Sequence, residues 1–165
     1  MIAARDVTLI LAYGSDGVLG NHGALPWPHH REDMRRFQEA TLGSTLIMGR
    51  KTYESLGKPL KWRQNVVISH NPDKIVGLTK EVNVAKDLAA AIAMAGKTPV
   101  FVIGGAAIFG LAMPHANRIL LTEMHGDFPG DVYFKIPFLH QWREIRREAW
   151  RGEDGNCDFV EYVLD

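Results

Sequence analysis

Residues 7–37 read VTLILAYGSDGVLGNHGALPWPHHREDMRRF, and they join three local patterns. Residues 7–13 are almost continuously apolar, which predicts a central strand buried on both faces. Residues 14–28 are too long and too rich in Gly and Pro for a tight turn, and loops of that length often serve as lids or binding loops. Met34, Phe37 and Thr41 share one face at helical spacing, which predicts a helix over residues 31–41. Asp33 lies beside that face, so we expect its carboxylate to face a pocket.

The rest of the chain alternates apolar strands with helices. Further strands are predicted at residues 44–48, 65–69, 82–85, 99–103 and 118–124, and further helices at residues 50–56, 86–95 and 106–113. Residues 142–150 and 158–164 are longer and charged, which predicts an antiparallel hairpin at the sheet edge. This order predicts an α/β fold, with one domain over residues 1–165 and a mixed, mostly parallel sheet flanked by helices.

Composition excludes several classes of protein. The 165 residues suit one domain, and the 19 Lys and Arg balance the 19 Asp and Glu, so no charge field favours nucleic acid or a membrane surface. Cys157 is the only cysteine, so no disulfide can form within the chain. The apolar run that follows the first residues is too short to span a membrane. We therefore expect a soluble, cytoplasmic protein.

Several predicted strands end in residues suited to ligands, and open α/β sheets bind ligands at the carboxyl ends of their strands. Gly49-Arg50-Lys51-Thr52 begins a helix, where two cations oppose the helix dipole unless an anion shares the site. A phosphate would remove that conflict. The alternative is a pair of solvated cations on a surface helix.

Gly104-Gly105 lies between a predicted strand and a helix. Two glycines let backbone approach a pyrophosphate closely, although the spacing is not that of the GxGxxG fingerprint. The alternative is an ordinary tight strand-to-helix turn. These strand ends are expected to converge on one edge of the sheet.

Asp33 also has two interpretations. Acidic residues are favoured in the first turn of a helix, and Glu32 beside it would serve the same purpose. A desolvated Asp33 would instead have a raised pKa and could pair with a cationic or amidine-like group. His29 and His30 could suggest a metal site, but no third ligand has useful spacing, so we expect no metal and two solvated loop histidines.

Together these pieces resemble the dihydrofolate reductase family, in its order and spacing over nearly the whole chain. The matching pieces are Gly17-Val18-Leu19-Gly20, Leu25-Pro26-Trp27, Asp33 with Phe37, residues 47–60, Arg63-Gln64-Asn65, Val102-Ile103-Gly104-Gly105, Leu121-Thr122 and Gly130-Asp131. The resemblance implies an eight-stranded sheet with four helices, and reduction of 7,8-dihydrofolate to 5,6,7,8-tetrahydrofolate by hydride transfer from NADPH to pterin C6, with protonation at N5. It implies a monomer that also binds antifolate inhibitors.

The resemblance also assigns residues to roles. The implied catalytic residues are Asp33, Leu25, Trp27 and Thr122. The implied substrate-binding residues are Ile10, Ala12, Asp33, Met34, Phe37, Leu56, Leu60, Arg63, Ile103 and Thr122. The implied cofactor-binding residues are Ala12, Leu19, Gly49, Arg50, Lys51, Thr52, Ser69, Ile103, Gly104, Gly105, Ala106, Ile108 and Phe109. Residues 20–28 match a mobile loop that closes over the nicotinamide, and the family's Gly104–Gly105 peptide is cis.

The chain departs from common family patterns at a few positions. The interval from Trp27 to Asp33 is one residue longer than in many bacterial members, and Phe109 replaces a frequent Tyr. Two other functions remain as alternatives. One is a pyrimidine reductase of riboflavin synthesis on the same fold, which is not expected to combine Leu-Pro-Trp, the helical Asp33 and Arg63. The other is a non-catalytic nucleotide-binding module.

Overall fold

An eight-stranded sheet forms the centre of the computed structural model, which describes residues 6–164. Residues 1–5 and 165 of the predicted domain lie outside the described part. The strands are β1 (Val7–Tyr13), β2 (Val18–Gly20), β3 (Thr45–Gly49), β4 (Gln64–Ile68), β5 (Val82–Ala85), β6 (Val100–Gly104), β7 (Arg118–Met124), β8 (Val132–Tyr133), β9 (Arg143–Trp150) and β10 (Cys157–Val163). The helices are α1 (Arg31–Thr41), α2 (Arg50–Leu56), α3 (Leu88–Met94) and α4 (Ala106–Ala112).

The strand order in the large sheet is β5-β4-β3-β6-β1-β7-β10-β9. The pairs from β5 to β7 are parallel, whereas β10 runs antiparallel to both β7 and β9. The carboxyl ends of β1, β3, β4 and β6 therefore lie along one edge. This topology confirms the predicted α/β fold with an antiparallel hairpin at the edge of the sheet.

Strand β1 shows how both faces of the sheet are filled. Leu9 and Leu11 are buried in a large apolar cluster with residues of α3 and α4. Ile10, one position along, packs on the opposite face against the cluster that contains Tyr53 of α2. Because successive side chains of a strand point to opposite faces, one apolar run supplies both cores. Within the described part of the chain, no helix has the length and apolarity needed to cross a membrane.

A small second sheet was not predicted. Strand β2 lies within the long loop after β1 and pairs antiparallel with β8. Gly130 approaches this pair so closely that a Cβ there would lie 2.3 Å from Val18 Cγ2 and 2.5 Å from Gly20 O. The glycine is therefore required by contact between the two segments. Strands of two and three residues leave too little alternation in a sequence to be recognised.

Candidate active site

A cavity of about 830 Å³ opens between α1 and α2, beside the carboxyl ends of β1 and β6. Its volume is in the range of small-molecule sites. Many predicted site residues line it: Ile10, Ala12, Leu19, Leu25, Asp33, Met34, Phe37, Thr52, Leu56, Ile103, Phe109 and Thr122. Residues from the first third of the chain thus meet residues from its last third.

Asp33 is one of the carboxylates that line this cavity, with Glu39, Glu148 and Glu161. Asp33 is the third residue of α1, and its Oδ1 accepts a hydrogen bond of 2.7 Å from the hydroxyl of Thr122 in β7. Burial raises the pKa of Asp33, while the Thr122 hydrogen bond acts in the opposite direction, as does the positive charge of Arg36 and that of His30 when its ring is protonated. A buried carboxyl with a raised pKa in a cavity is a functional-site candidate.

Glu32 has the opposite environment. Its carboxylate accepts hydrogen bonds from Arg35 and Arg36, and the bond from Arg35 is the main reason that its pKa is lowered to about 2. Glu32 therefore takes the ordinary role of a helix-start acid. Asp33 also lies in the first turn of α1, but its carboxylate accepts a hydrogen bond from Thr122 of strand β7.

Residues of the loop before α1 cover the cavity. Trp27 is buried and meets Phe128 edge to face, with 5.5 Å between ring centroids. Its buried Nε1 has no hydrogen-bond partner among the described residues. Leu25 is about half exposed at the cavity lining, and Ser55 Oγ of α2 donates to Gly23 O across the cleft at 2.8 Å. The loop is thus attached to α2 in this structure.

His30 is not solvated, and that prediction was wrong. Its side chain is only 2 % exposed, whereas His29 is exposed as expected. The ring is buried because both nitrogens have partners: Nδ1 accepts from the Asp33 N–H at 3.1 Å, and Nε2 lies 3.0 Å from Gly155 O. Polar groups with complete hydrogen bonding can be buried at little cost. Sequence spacing gives no sign of Gly155, which is 125 residues away.

The two glycine-containing turns do converge. A Cβ on Gly49 would lie 3.1 Å from Ile108 Cγ1 and 3.8 Å from Gly105 N. Gly104 has a φ of +119°, and a Cβ there would lie 3.1 Å from the Phe109 ring. The Gly104–Gly105 peptide is cis, as the resemblance implies. The backbone is therefore bare where α2 and α4 begin, which suits close approach of a pyrophosphate.

The charged residues of the predicted cofactor side lie outside the cavity lining. Arg50 Nη1 pairs with both carboxylate oxygens of Glu54 at 2.9 and 3.1 Å, and Lys51 is exposed. Ser69 follows β4, and its Oγ accepts the Asn71 N–H at 3.1 Å. Arg50 thus has a partner that offsets the unfavourable helix dipole, so its position alone does not require an anion.

Arg63 and Leu60 also lie outside the lining. Arg63 Nε donates to Thr41 Oγ1 at 2.9 Å and Nη2 donates to Gln38 O at 2.6 Å, so its guanidinium is bonded to the end of α1. Leu60 packs against the core cluster of α2. The structure places Arg63 beside the helix that carries Asp33 and Phe37.

The cavity continues beneath α1 along residues that sequence reasoning missed. Arg36 lies 3.8 Å over the centre of the Phe159 ring and is ion-paired with Glu148. Both partners come from the charged hairpin that the sequence identifies only as a solvated edge. Arg36 lies three residues after Asp33, and residues at this spacing are neighbours on a helix surface. That spacing is the sequence feature that could have identified Arg36 as a cavity residue. No group of three metal-ligating side chains occurs among residues 6–164.

Comparisons with known proteins agree along the whole chain. A family model described as Dihydrofolate reductase matches residues 6–164. Dihydrofolate reductase type 3 of Salmonella typhimurium is 35% identical over 158 residues, covering 93% of this chain and 95% of the relative. Dihydrofolate reductase of Neisseria meningitidis serogroup A is 40% identical over 161 residues, covering 95% and 97%.

A solved structure gives the same result. Dihydrofolate reductase from Enterococcus faecalis, complexed with NADP(H) and RAB-propyl, superposes with a TM-score of 0.86 at 29% identity, covering 96% of this chain and 95% of that one. The matches favour the reductase of dihydrofolate over the pyrimidine reductase and the binding module. The chain belongs to the dihydrofolate reductase family.

Proposed function

We propose that this chain reduces 7,8-dihydrofolate to 5,6,7,8-tetrahydrofolate with NADPH, and that the Asp33 cavity is the site of the reaction. The observation that carries this proposal is the desolvated, partly buried Asp33 carboxylate, bonded to Thr122 inside an otherwise mostly apolar cavity. Family membership supports the reaction, and the position of Asp33 supports the site.

Asp33 is proposed to bind the pterin. A carboxylate matches the adjacent N–H donors of an amidine-like edge, here the 2-amino group and ring N3, with two parallel hydrogen bonds. Thr122 holds one carboxylate oxygen and fixes its direction. Through this contact Asp33 supports protonation of N5. The indole N–H of Trp27, which has no partner among residues 6–164, suits a water that bridges to the pterin.

The apolar walls are proposed to orient the rest of the substrate. Ile10, Met34, Phe37 and Leu56 line the cavity where pterin and benzoyl rings would lie. Arg63, with its forked guanidinium, is proposed to pair with the α-carboxylate of the glutamate tail. It would exchange one of its present bonds to the α1 backbone for that contact.

The cofactor is proposed to lie against the bare backbone of the two glycine turns. When bound, NADPH supplies the hydride that passes from nicotinamide C4 to pterin C6. Gly49, Gly104 and Gly105 are proposed to present bare backbone to the pyrophosphate; a Cβ on Gly49 or Gly104 would instead lie 3.1 Å from Ile108 or Phe109. Thr52 lies beside the glycine pair, and Arg50 and Lys51 are proposed to bind the phosphates, including the extra phosphate of NADPH.

Residues 20–28 are proposed to act as a lid. Closure over the nicotinamide would exclude water, and the Ser55–Gly23 hydrogen bond is proposed to hold the loop against α2. Antifolates would compete for the Asp33 cavity. We also propose that the protein is a cytoplasmic monomer.

The direct test is the loss of nicotinamide absorbance when dihydrofolate is added to the protein and NADPH. We expect turnover with dihydrofolate, and none when it is replaced by the deaminated pyrimidine substrate of riboflavin synthesis. Folded protein with no dihydrofolate turnover contradicts the proposal, and turnover of the pyrimidine alone supports the alternative reductase.

A further inference from the structure

We propose that His30 is a positioning residue that fixes the Asp33 carboxylate for the reaction. The proposal rests on the function proposed for Asp33. His30 is a buried, titratable side chain that the reaction itself does not use. It lies in the stretch between Trp27 and Asp33, at the start of the helix that carries Asp33.

Helix α1 has little apolar packing to hold it in place. Among its residues only Thr41, near its carboxyl end, is fully buried, whereas Asp33, Met34 and Phe37 are partly exposed and line the cavity. The end that carries Asp33 is therefore held mainly by polar contacts. Their number and direction decide where the carboxylate lies.

The His30 ring supplies the main contact at this end. Nδ1 accepts the N–H of Asp33 itself at 3.1 Å, so the ring caps the helix at the residue that binds the pterin. On its other side Nε2 lies 3.0 Å from Gly155 O, in the turn between β9 and β10. The neighbouring Arg31 N–H donates to Asp154 Oδ2 of the same turn at 3.0 Å.

Asp33 is consequently fixed from two strands that are paired with each other. Thr122 of β7 holds the carboxylate, and His30 ties the backbone to the turn that leads into β10. Strands β7 and β10 are hydrogen-bonded neighbours, with Thr122 opposite Phe159. The backbone and the side chain of Asp33 are thus both attached to the same part of the sheet.

These contacts require a neutral ring. Nδ1 must present its lone pair to the Asp33 N–H, so the proton lies on Nε2 and is donated to Gly155 O. The ionisable groups nearby are Asp33, Glu32 and Arg36 on α1, and Cys157 and Asp154 on the hairpin. A positive charge on His30 would lower the pKa of Asp33, so the neutral ring also preserves the raised pKa of that carboxyl.

The test compares His30→Ala and His30→Asn with His29→Ala, the exposed neighbour. We expect His30→Ala to lower kcat by about tenfold or more, since small misplacements of a reacting group have large effects. We also expect the acidic inflection of its pH–rate profile to move to lower pH, because the freed N–H of Asp33 stabilises the ionised carboxylate. His30→Asn should recover part of kcat, as its amide oxygen can accept the same N–H, and His29→Ala should match the wild type.

The proposal is overturned if both His30 variants only lose thermal stability while kcat, KM and the pH profile match those of His29→Ala. If neither variant folds, ¹⁵N NMR of the wild-type ring decides. We expect an unprotonated Nδ1, a protonated Nε2, and a shift of the Nδ1 signal when a pterin-like antifolate binds. The opposite tautomer, or an unresponsive ring, refutes the role. Absence of wild-type turnover would instead count against the proposed function. The NMR result would still test whether the His30 ring has the required tautomer and responds to the ligand.

Discussion

Two adjacent carboxylic acids at the start of α1 have pKa values that their surroundings shift in opposite directions. Glu32 is held ionised by two arginines, while Asp33 is desolvated and bonded to one hydroxyl. Helical geometry produces the difference, because consecutive residues point about 100° apart around the axis. One acid therefore pairs with arginines of its own helix, and the other faces the cavity.

The hydroxyl of Thr122 should tune Asp33. Thr122→Val keeps the shape but removes the 2.7 Å hydrogen bond, which acts to lower the pKa of Asp33. That pKa should rise further, so the acidic inflection of kcat/KM should move to higher pH. A hydrogen bond to a charged group contributes about 1.5–3 kcal/mol, so kcat/KM should fall by about tenfold to a hundredfold.

Thr8→Val provides the matched control for this variant. Thr8 is also a buried threonine, but it lies at the other end of β1 from Ala12, the register partner of Thr122. In steady-state assays across pH, Thr8→Val should show the same kcat/KM profile as the wild type. An unaltered profile for Thr122→Val would contradict the role of the hydroxyl.

At the scale of elements, apolar runs predicted six of the eight strands of the large sheet, and two longer charged segments predicted the hairpin strands β9 and β10. Helical spacing predicted the four helices, and Gly or Pro marked the end of several of these elements. The pair β2 and β8 is too short to do so, and only the close approach of Gly130 to Val18 reveals why they meet. The burial of His30 likewise depends on a turn that is distant in sequence.

Helix α2 should determine the choice of cofactor through Arg50. Arg50→Leu should raise KM for NADPH by about tenfold or more and leave KM for NADH nearly unchanged, because the extra phosphate loses its cation. Stability should change little, since the Arg50–Glu54 pair is partly exposed and ion pairs near the surface contribute little to the free energy of unfolding.

Glu54→Gln is the control for Arg50→Leu. It removes the ion pair but keeps the cation, and its amide oxygen can still accept the Val76 N–H. We expect it to retain the preference for NADPH in steady-state assays. Equal changes in both KM values for Arg50→Leu would remove Arg50 from the phosphate site.

At the scale of the whole molecule, the order of strands could be anticipated only in outline. Alternation predicted parallel strands with their carboxyl ends on one edge, which is where the cavity lies. The extension of the cavity beneath α1 could not be predicted. It depends on Arg36 meeting Glu148, which lies 112 residues away, and such pairings follow from the fold.

Buried Asp33 should lower the stability of the folded protein near neutral pH. Its pKa is raised on folding, so its contribution is present below the ordinary Asp pKa and is lost as pH rises through the folded-state value. Asp33→Asn should therefore raise the melting temperature at neutral pH and have no such effect in acid. Thermal unfolding followed at several pH values measures this difference.

Glu32→Gln should behave in the opposite way. The pKa of Glu32 is lowered to about 2, so its contribution to stability is present above the ordinary Glu pKa and is lost as pH falls toward 2. This variant should melt at a lower temperature at neutral pH. Equal shifts of the same sign in both variants would contradict the assigned environments.

The rate of hydride transfer from NADPH to dihydrofolate, measured in single turnovers across pH for the wild type and for Asp33→Asn, tests the role of Asp33 most directly. We predict that Asp33→Asn folds, binds NADPH like the wild type, and transfers hydride at least about a hundredfold more slowly at neutral pH. Its rate should recover in part in acid, where solvent can protonate the substrate. A variant that equals the wild type at neutral pH would contradict the assignment of Asp33 as the carboxylate that supports the reaction.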